Sequence, residues 1–136
     1  MATDRQEPQR SPLLNPVAWF EIHVDNLDRA KSFYEAVFDR QLEALPSGDS
    51  TIRRLMLQAR PDEPKAGGAL IKHPMKRPST EGVLVCFSCA DCAVPTKRAV
   101  EHGGRIYKSK TSIGPKGFIA IIGDSEGDAI GLHSFA

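Results

Sequence analysis

A strand, a helix cap and an amphipathic helix occur twice in this chain at a fixed separation, and that recurrence constrains the fold more than anything else in the sequence. The first copy lies in residues 15–38. Trp19, Glu21 and His23 alternate there with Phe20, Ile22 and Val24, and a strand sends alternate side chains to opposite faces. Asn26 follows as a predicted N-cap, with Leu27, Ala30, Tyr34, Val37 and Phe38 at helical spacing behind it. In the second copy residues 82–89 read as a strand, Asp91 as the cap, and 92–102 as a helix stopped at Gly103-Gly104. Pro95 falls in its first turn, where a missing N–H is tolerated.

The two caps stand 65 positions apart, which aligns Trp19 with Leu84, Glu21 with Cys86 and His23 with Ser88. The closing strands of the two halves align as 69–73 with 129–133, 60 positions apart. Between these landmarks, 51–58, 67–73, 105–108, 118–122 and 129–135 read as strands. Residues 39–48 read as a connection, 59–66 as a charged loop, 74–82 as the inter-module linker, 111–117 as a turn-rich loop and 124–127 as a hairpin turn. Two repeats are too few for a solenoid, so they are expected to pair into one body.

Bulk properties exclude several function classes. A formal net charge of +1 gives no case for a general nucleic-acid surface. No apolar run approaches the ~20 residues of a membrane span. The polar stretch 1–14 has no apolar signal core; it reads as a flexible tail, and the cytoplasm is the expected location. Cys86, Cys89 and Cys92 are odd in number, and the C-x-x-C pair has no second ligand pair to make a zinc site. They read as thiols in a reducing compartment.

The stretches WFEIHVDNLDRAKSFYEAVF, GGALIKHP, AVEHGGRI and SIGPKGFIAIIGDSEGDAIGLHS resemble the vicinal oxygen chelate superfamily, which includes glyoxalase I, bleomycin-resistance proteins and extradiol dioxygenases. The last is similar to the D-x-x-G-x-x-I-x-L ending common there, and the whole looks like a bacterial lactoylglutathione-lyase-like subgroup. The resemblance covers residues 15–136. It implies an α+β fold of two βαβββ modules, 15–75 and 82–136, forming one domain with a curved mixed sheet around a central cup. It also implies a divalent metal on about four His/Glu side chains, one from each of four cup strands. Carried onto this chain, those positions fall on Trp19, Leu84, Gly131 and the neighbourhood of Ile71, none of which is a metal ligand. No cofactor is therefore expected.

The cup implied by this fold is lined by Trp19, Glu21, His23, Cys86, Ser88, Gly131 and His133, with Ile71, His73 and Leu84 nearby. Trp19 offers a stacking face and one N–H donor. Glu21 and His23 are the candidate catalytic residues, as general base and proton carrier, with His133 in a similar role. Lys116, in the 111–117 loop, is available to an anionic ligand if that loop acts as a lid. The leading reading is a cytoplasmic homodimer that binds a small organic molecule in a metal-free aromatic cup, with no nucleic-acid or membrane partner. One alternative is a metal-dependent lyase or isomerase with a shifted site on Glu21, His133 and His23 or His73. Another is a non-catalytic paired-sheet module that associates with other proteins.

Overall fold

Strand β1 (Trp19–His23) opens the part of the chain that the computed structural model describes, residues 17–46, 48–57 and 66–136. The expected tail 1–14 and most of the 59–66 loop lie outside the described residues. Asn26 ends the strand and starts helix α1 (Leu27–Phe38). Its extended backbone lets Oδ1 accept the N–H of Arg29 at 2.9 Å, as an N-cap should. Leu27, Ala30, Phe33, Tyr34 and Val37 form the buried stripe of α1. The helix stops at Asp39, which sits in the left-handed region (φ 53°) and donates its N–H to the carbonyl of Glu35.

Three antiparallel-linked strands complete the first module: β2 (Leu42–Leu45), β3 (Arg53–Leu57) and β4 (Gly67–Lys72). The sheet order is β1-β4-β3-β2, with β1 parallel to β4. Strand β2 corrects the expectation of a plain connection over 39–48. It is four residues long, at a sheet edge, and held by pairing with β3 and by the bond from Leu42 N–H to Glu35 Oε2.

The second module repeats the plan with β5 (Val85–Ser88), α2 (Ala93–Glu101), β6 (Arg105–Ser112), β7 (Phe118–Gly123) and β8 (Ala129–Ser134), in the order β5-β8-β7-β6. Asp91 caps α2 one residue earlier than the helix boundary suggests: its carboxylate accepts the N–H of Ala93, and Ser134 Oγ accepts that of Cys92. Strand β6 runs four residues beyond the expected 108, with two register irregularities against β7. The 111–117 loop is correspondingly shorter, a single 3₁₀ turn at Gly114–Lys116.

The pairing registers correct the alignment of the closing strands. Glu21 lies opposite Ala69, and its counterpart Cys86 lies opposite Gly131. Ala69 is therefore the equivalent of Gly131, 62 positions away rather than 60, and Ile71 is the equivalent of His133. A two-residue slip keeps every side chain on its face, so alternation could not reveal it.

The modules meet on their helix-covered sides. Phe20 packs edge-on against Phe87 (5.6 Å between ring centres), and Phe38 lies 4.6 Å from the same ring. Ile22, Val24, Leu70, Ile122, Ile130 and Leu132 are buried with the α1 stripe in one continuous core. Helix α1 is also tied to the β7–β8 turn. Tyr34 Oη donates to Asp124 Oδ2 at 2.7 Å. Glu126, whose side chain is fully buried, accepts the backbone N–H groups of Asp25 and Asn26 and both arms of the Arg29 guanidinium. Burial alone would raise the Glu126 carboxyl, but these donors outweigh it and hold it below the usual range. No strand pairing joins the two four-stranded sheets among the described residues.

Candidate functional site

The free edges of β1 and β5 lie on either side of a cleft of about 890 Å³. Trp19 and Val17 form one wall and Val83, Leu84, Cys86 and Ser88 the other, while Phe20, Phe38 and Phe87 supply aromatic surface deeper in. The end of α1 and the face Val94, Pro95, Arg98 of α2 close its helix side. Small residues make room for these rings. Phe20 lies directly over Gly68, so close that a Cβ there would stand 2.6 Å from the ring. Cys86 Sγ occupies the space that a side chain at Gly131 would need. A second hollow, by Leu45, Ile52 and Arg54, has only about 210 Å³, below the ~300–1,000 Å³ of ordinary small-molecule sites.

Of the residues expected around one cup, the structure brings Trp19, Leu84, Cys86 and Ser88 into this wall. Glu21, His23, Gly131, His133 and Lys116 are not part of it. Glu21 is engaged elsewhere: its Oε2 takes Arg54 Nε at 3.0 Å and the Trp19 indole N–H at 3.4 Å. Arg54 lies opposite Ile71 and reaches Glu21 diagonally past the small Ala69 of β4. His23 faces His73 at 6.3 Å between rings, and its Nδ1 is buried without a hydrogen-bond partner. Burial first, then the neighbouring Lys76 and His73, lowers its basicity. His133 Nε2 lies 2.6 Å from the carbonyl of Lys116, which ties the 3₁₀ turn to β8. The turn is further closed by the N–H of Ile113 on the Gly117 carbonyl, so the 111–117 segment is anchored rather than lid-like.

The cleft thiols are held protonated. Burial, with Cys92 as a second influence, raises Cys86, and the same two causes push Cys89 up to about 12. Neither is an activated nucleophile. Cys92 is buried and bonded by Ser134 Oγ and to the Phe118 carbonyl. Asp91, also in the wall, is ion-paired with Lys110 Nζ at 2.9 Å; that bond and the Ala93 N–H hold its carboxyl low.

A metal site does not fit these residues. Trp19, Ala69, Leu84 and Gly131 stand at the four matching strand positions. Glu21 and His133 are committed to Arg54 and Lys116, on different sheets. Among the described residues no group of three or more His, Cys, Asp or Glu side chains is arranged to hold a metal ion.

Sequence reasoning missed Val17, Phe20, Phe38, Phe87 and Arg98 as cleft residues. The i, i+1, i+4 spacing of Val94, Pro95 and Arg98 was an available signal for a shared helix face. The aromatic set carried none, because its members belong to three separate elements and read as core.

No protein-family model matches the sequence, and no curated protein matches it. Solved structures do. Maize glyoxalase I superposes with a TM-score of 0.65 at 17% identity over 88% of this chain and 46% of its own, so the present chain spans about half its length. TnmS3, an antibiotic binding protein from Streptomyces sp. CB03234, gives 0.64 at 24% identity over 90% of this chain and 98% of its own. A glyoxalase/bleomycin resistance protein/dioxygenase family enzyme from Burkholderia phytofirmans PsJN gives 0.62 at 15% identity, over 88% and 98%. The chain shares the fold of these three proteins.

Proposed function

We propose that this protein binds a small organic molecule in the cleft between β1 and β5, holding it by aromatic contact with no metal between them. One observation carries the reading: a cleft of about 890 Å³ walled by Trp19 and floored by Phe20, Phe38 and Phe87, with few polar groups. That volume and lining are those of small-molecule sites in general. TnmS3, an antibiotic binding protein of the same fold, supports the same class of role. Glu21, the candidate base, is tied up by Arg54, which favours binding over proton abstraction as the primary activity.

A homodimer is part of the proposal: Val83 is exposed beside the unpaired edge of β5, where a second copy can pack while leaving Trp19 open to ligand. A cytoplasmic location is supported by the three free thiols. No described helix is long and apolar enough to cross a membrane.

A thermal-shift panel of aromatic antibiotics, glutathione conjugates and catechols tests the binding. A ligand at 100 times its dissociation constant contributes ~2.7 kcal/mol and raises the melting midpoint by several degrees. Trp19→Ala should abolish the shift for any hit. A hit whose shift survives Trp19→Ala and Phe87→Leu would place its site elsewhere.

A further inference from the structure

Building on the cleft reading above, we infer that the ligand is a flat aromatic anion, a carboxylate or sulfonate, whose charge is met by Arg98. The aromatic half of this statement rests on Trp19, Phe20, Phe38 and Phe87, which offer ring faces and edges to a planar body. The anionic half rests on the charges that line the cleft.

Those charges are Arg40, Arg98 and Asp91. The Asp91 carboxylate is neutralised locally by Lys110 and satisfied by the Ala93 N–H, so it adds no net repulsion for an anion. Arg98 is different. It is half-buried, it projects from α2 on the Val94–Pro95 face, and among the described residues it has no ion-pair or hydrogen-bond partner. A half-buried guanidinium beside an aromatic cavity is a ready partner for a planar oxyanion, which it can engage with two N–H groups at once. Among the described residues nothing else in the wall competes as an anion. The thiols of Cys86 and Cys89 stay protonated through burial, and Ser88 is a neutral donor. Among the described residues a cationic ligand would meet the unpaired charge of Arg98 and no free carboxylate.

Two fluorescent probes of matched shape separate the halves of the inference: 1-anilinonaphthalene-8-sulfonate and its uncharged analogue N-phenyl-1-naphthylamine. With the wild-type chain the sulfonate should bind at least about tenfold tighter, the span of one charge-assisted contact. Arg98→Gln should remove that preference and leave the uncharged probe unaffected, while Arg98→Lys should keep most of it. Equal affinity for both probes, unchanged by Arg98→Gln, overturns the anion inference and leaves the cleft reading standing. Absence of binding by both probes, or binding indifferent to Trp19→Ala, overturns the cleft reading and the inference with it.

Discussion

Asp128 sets the pH response of the fold at the level of a single residue. It is buried, its Oδ1 accepts the N–H of Ser79 in the linker, and its Oδ2 has no partner. Burial and the neighbouring carboxylates of Asp124 and Glu126 raise it from 3.8 to about 7. A carboxyl raised in the folded state costs stability once it ionises. The penalty is absent below the unfolded value, grows as pH rises from about 4, and is complete above about 7. Asp128→Asn keeps the acceptor for Ser79 and cannot ionise. Urea unfolding should therefore show the wild type losing, relative to Asp128→Asn, on the order of 2–4 kcal/mol between pH 4 and pH 8. Parallel pH profiles would refute this assignment. Such a residue was not legible in the sequence, because the groups that bury it come from the linker and the turn together. Trp19, Leu84, Cys86 and Ser88 were legible as one surface, since alternation sorts faces without tertiary information. The capture of Glu21 by Arg54 and of His133 by Lys116 was not, because both partners arrive from other elements.

Helix α1 and the β7–β8 turn form the joint that fixes one module against the other. Tyr34→Phe leaves the buried Asp124 Oδ2 without its donor and should cost about 1–3 kcal/mol in chemical denaturation. Glu126→Ala releases two backbone donors at the start of α1 and should cost a similar ~1–3 kcal/mol, with the exposed Arg29 free to rehydrate. Its pH signature is opposite to that of Asp128: the lowered Glu126 contributes stability above its ordinary value of 4.5 that is lost as pH falls through its lower folded value. A Glu126→Ala variant as stable as wild type at pH 7, or a Tyr34→Phe variant within 0.3 kcal/mol of it by the ~0.3–0.5 kcal/mol resolution of such comparisons, would mean the joint is not anchored by these bonds. At this scale the helices, the cap at Asn26 and the hairpin turn were all readable. Strand β2 was not: Leu42–Leu45 is short, has a polar lead-in, and is a strand only because β3 pairs with it. The closing-strand register also escaped, since slips by two residues preserve the pattern.

For the molecule as a whole, the duplication gave the two-sheet architecture, but not the way the halves meet. The shared core of Phe20, Phe38, Tyr34 and Phe87 gathers residues from both modules, so unfolding should be a single transition by fluorescence and circular dichroism alike. Two separated transitions would contradict a common core. The same junction creates the cleft, and Trp19 on its wall is the one tryptophan of the chain, a built-in reporter. The most direct test is to follow Trp19 emission and its quenching by acrylamide while titrating 1-anilinonaphthalene-8-sulfonate. Exposed in the free protein, Trp19 should lose both emission and acrylamide access along the same isotherm that describes the probe. Saturation of the probe with Trp19 emission and accessibility unchanged would contradict a ligand site in the β1–β5 cleft.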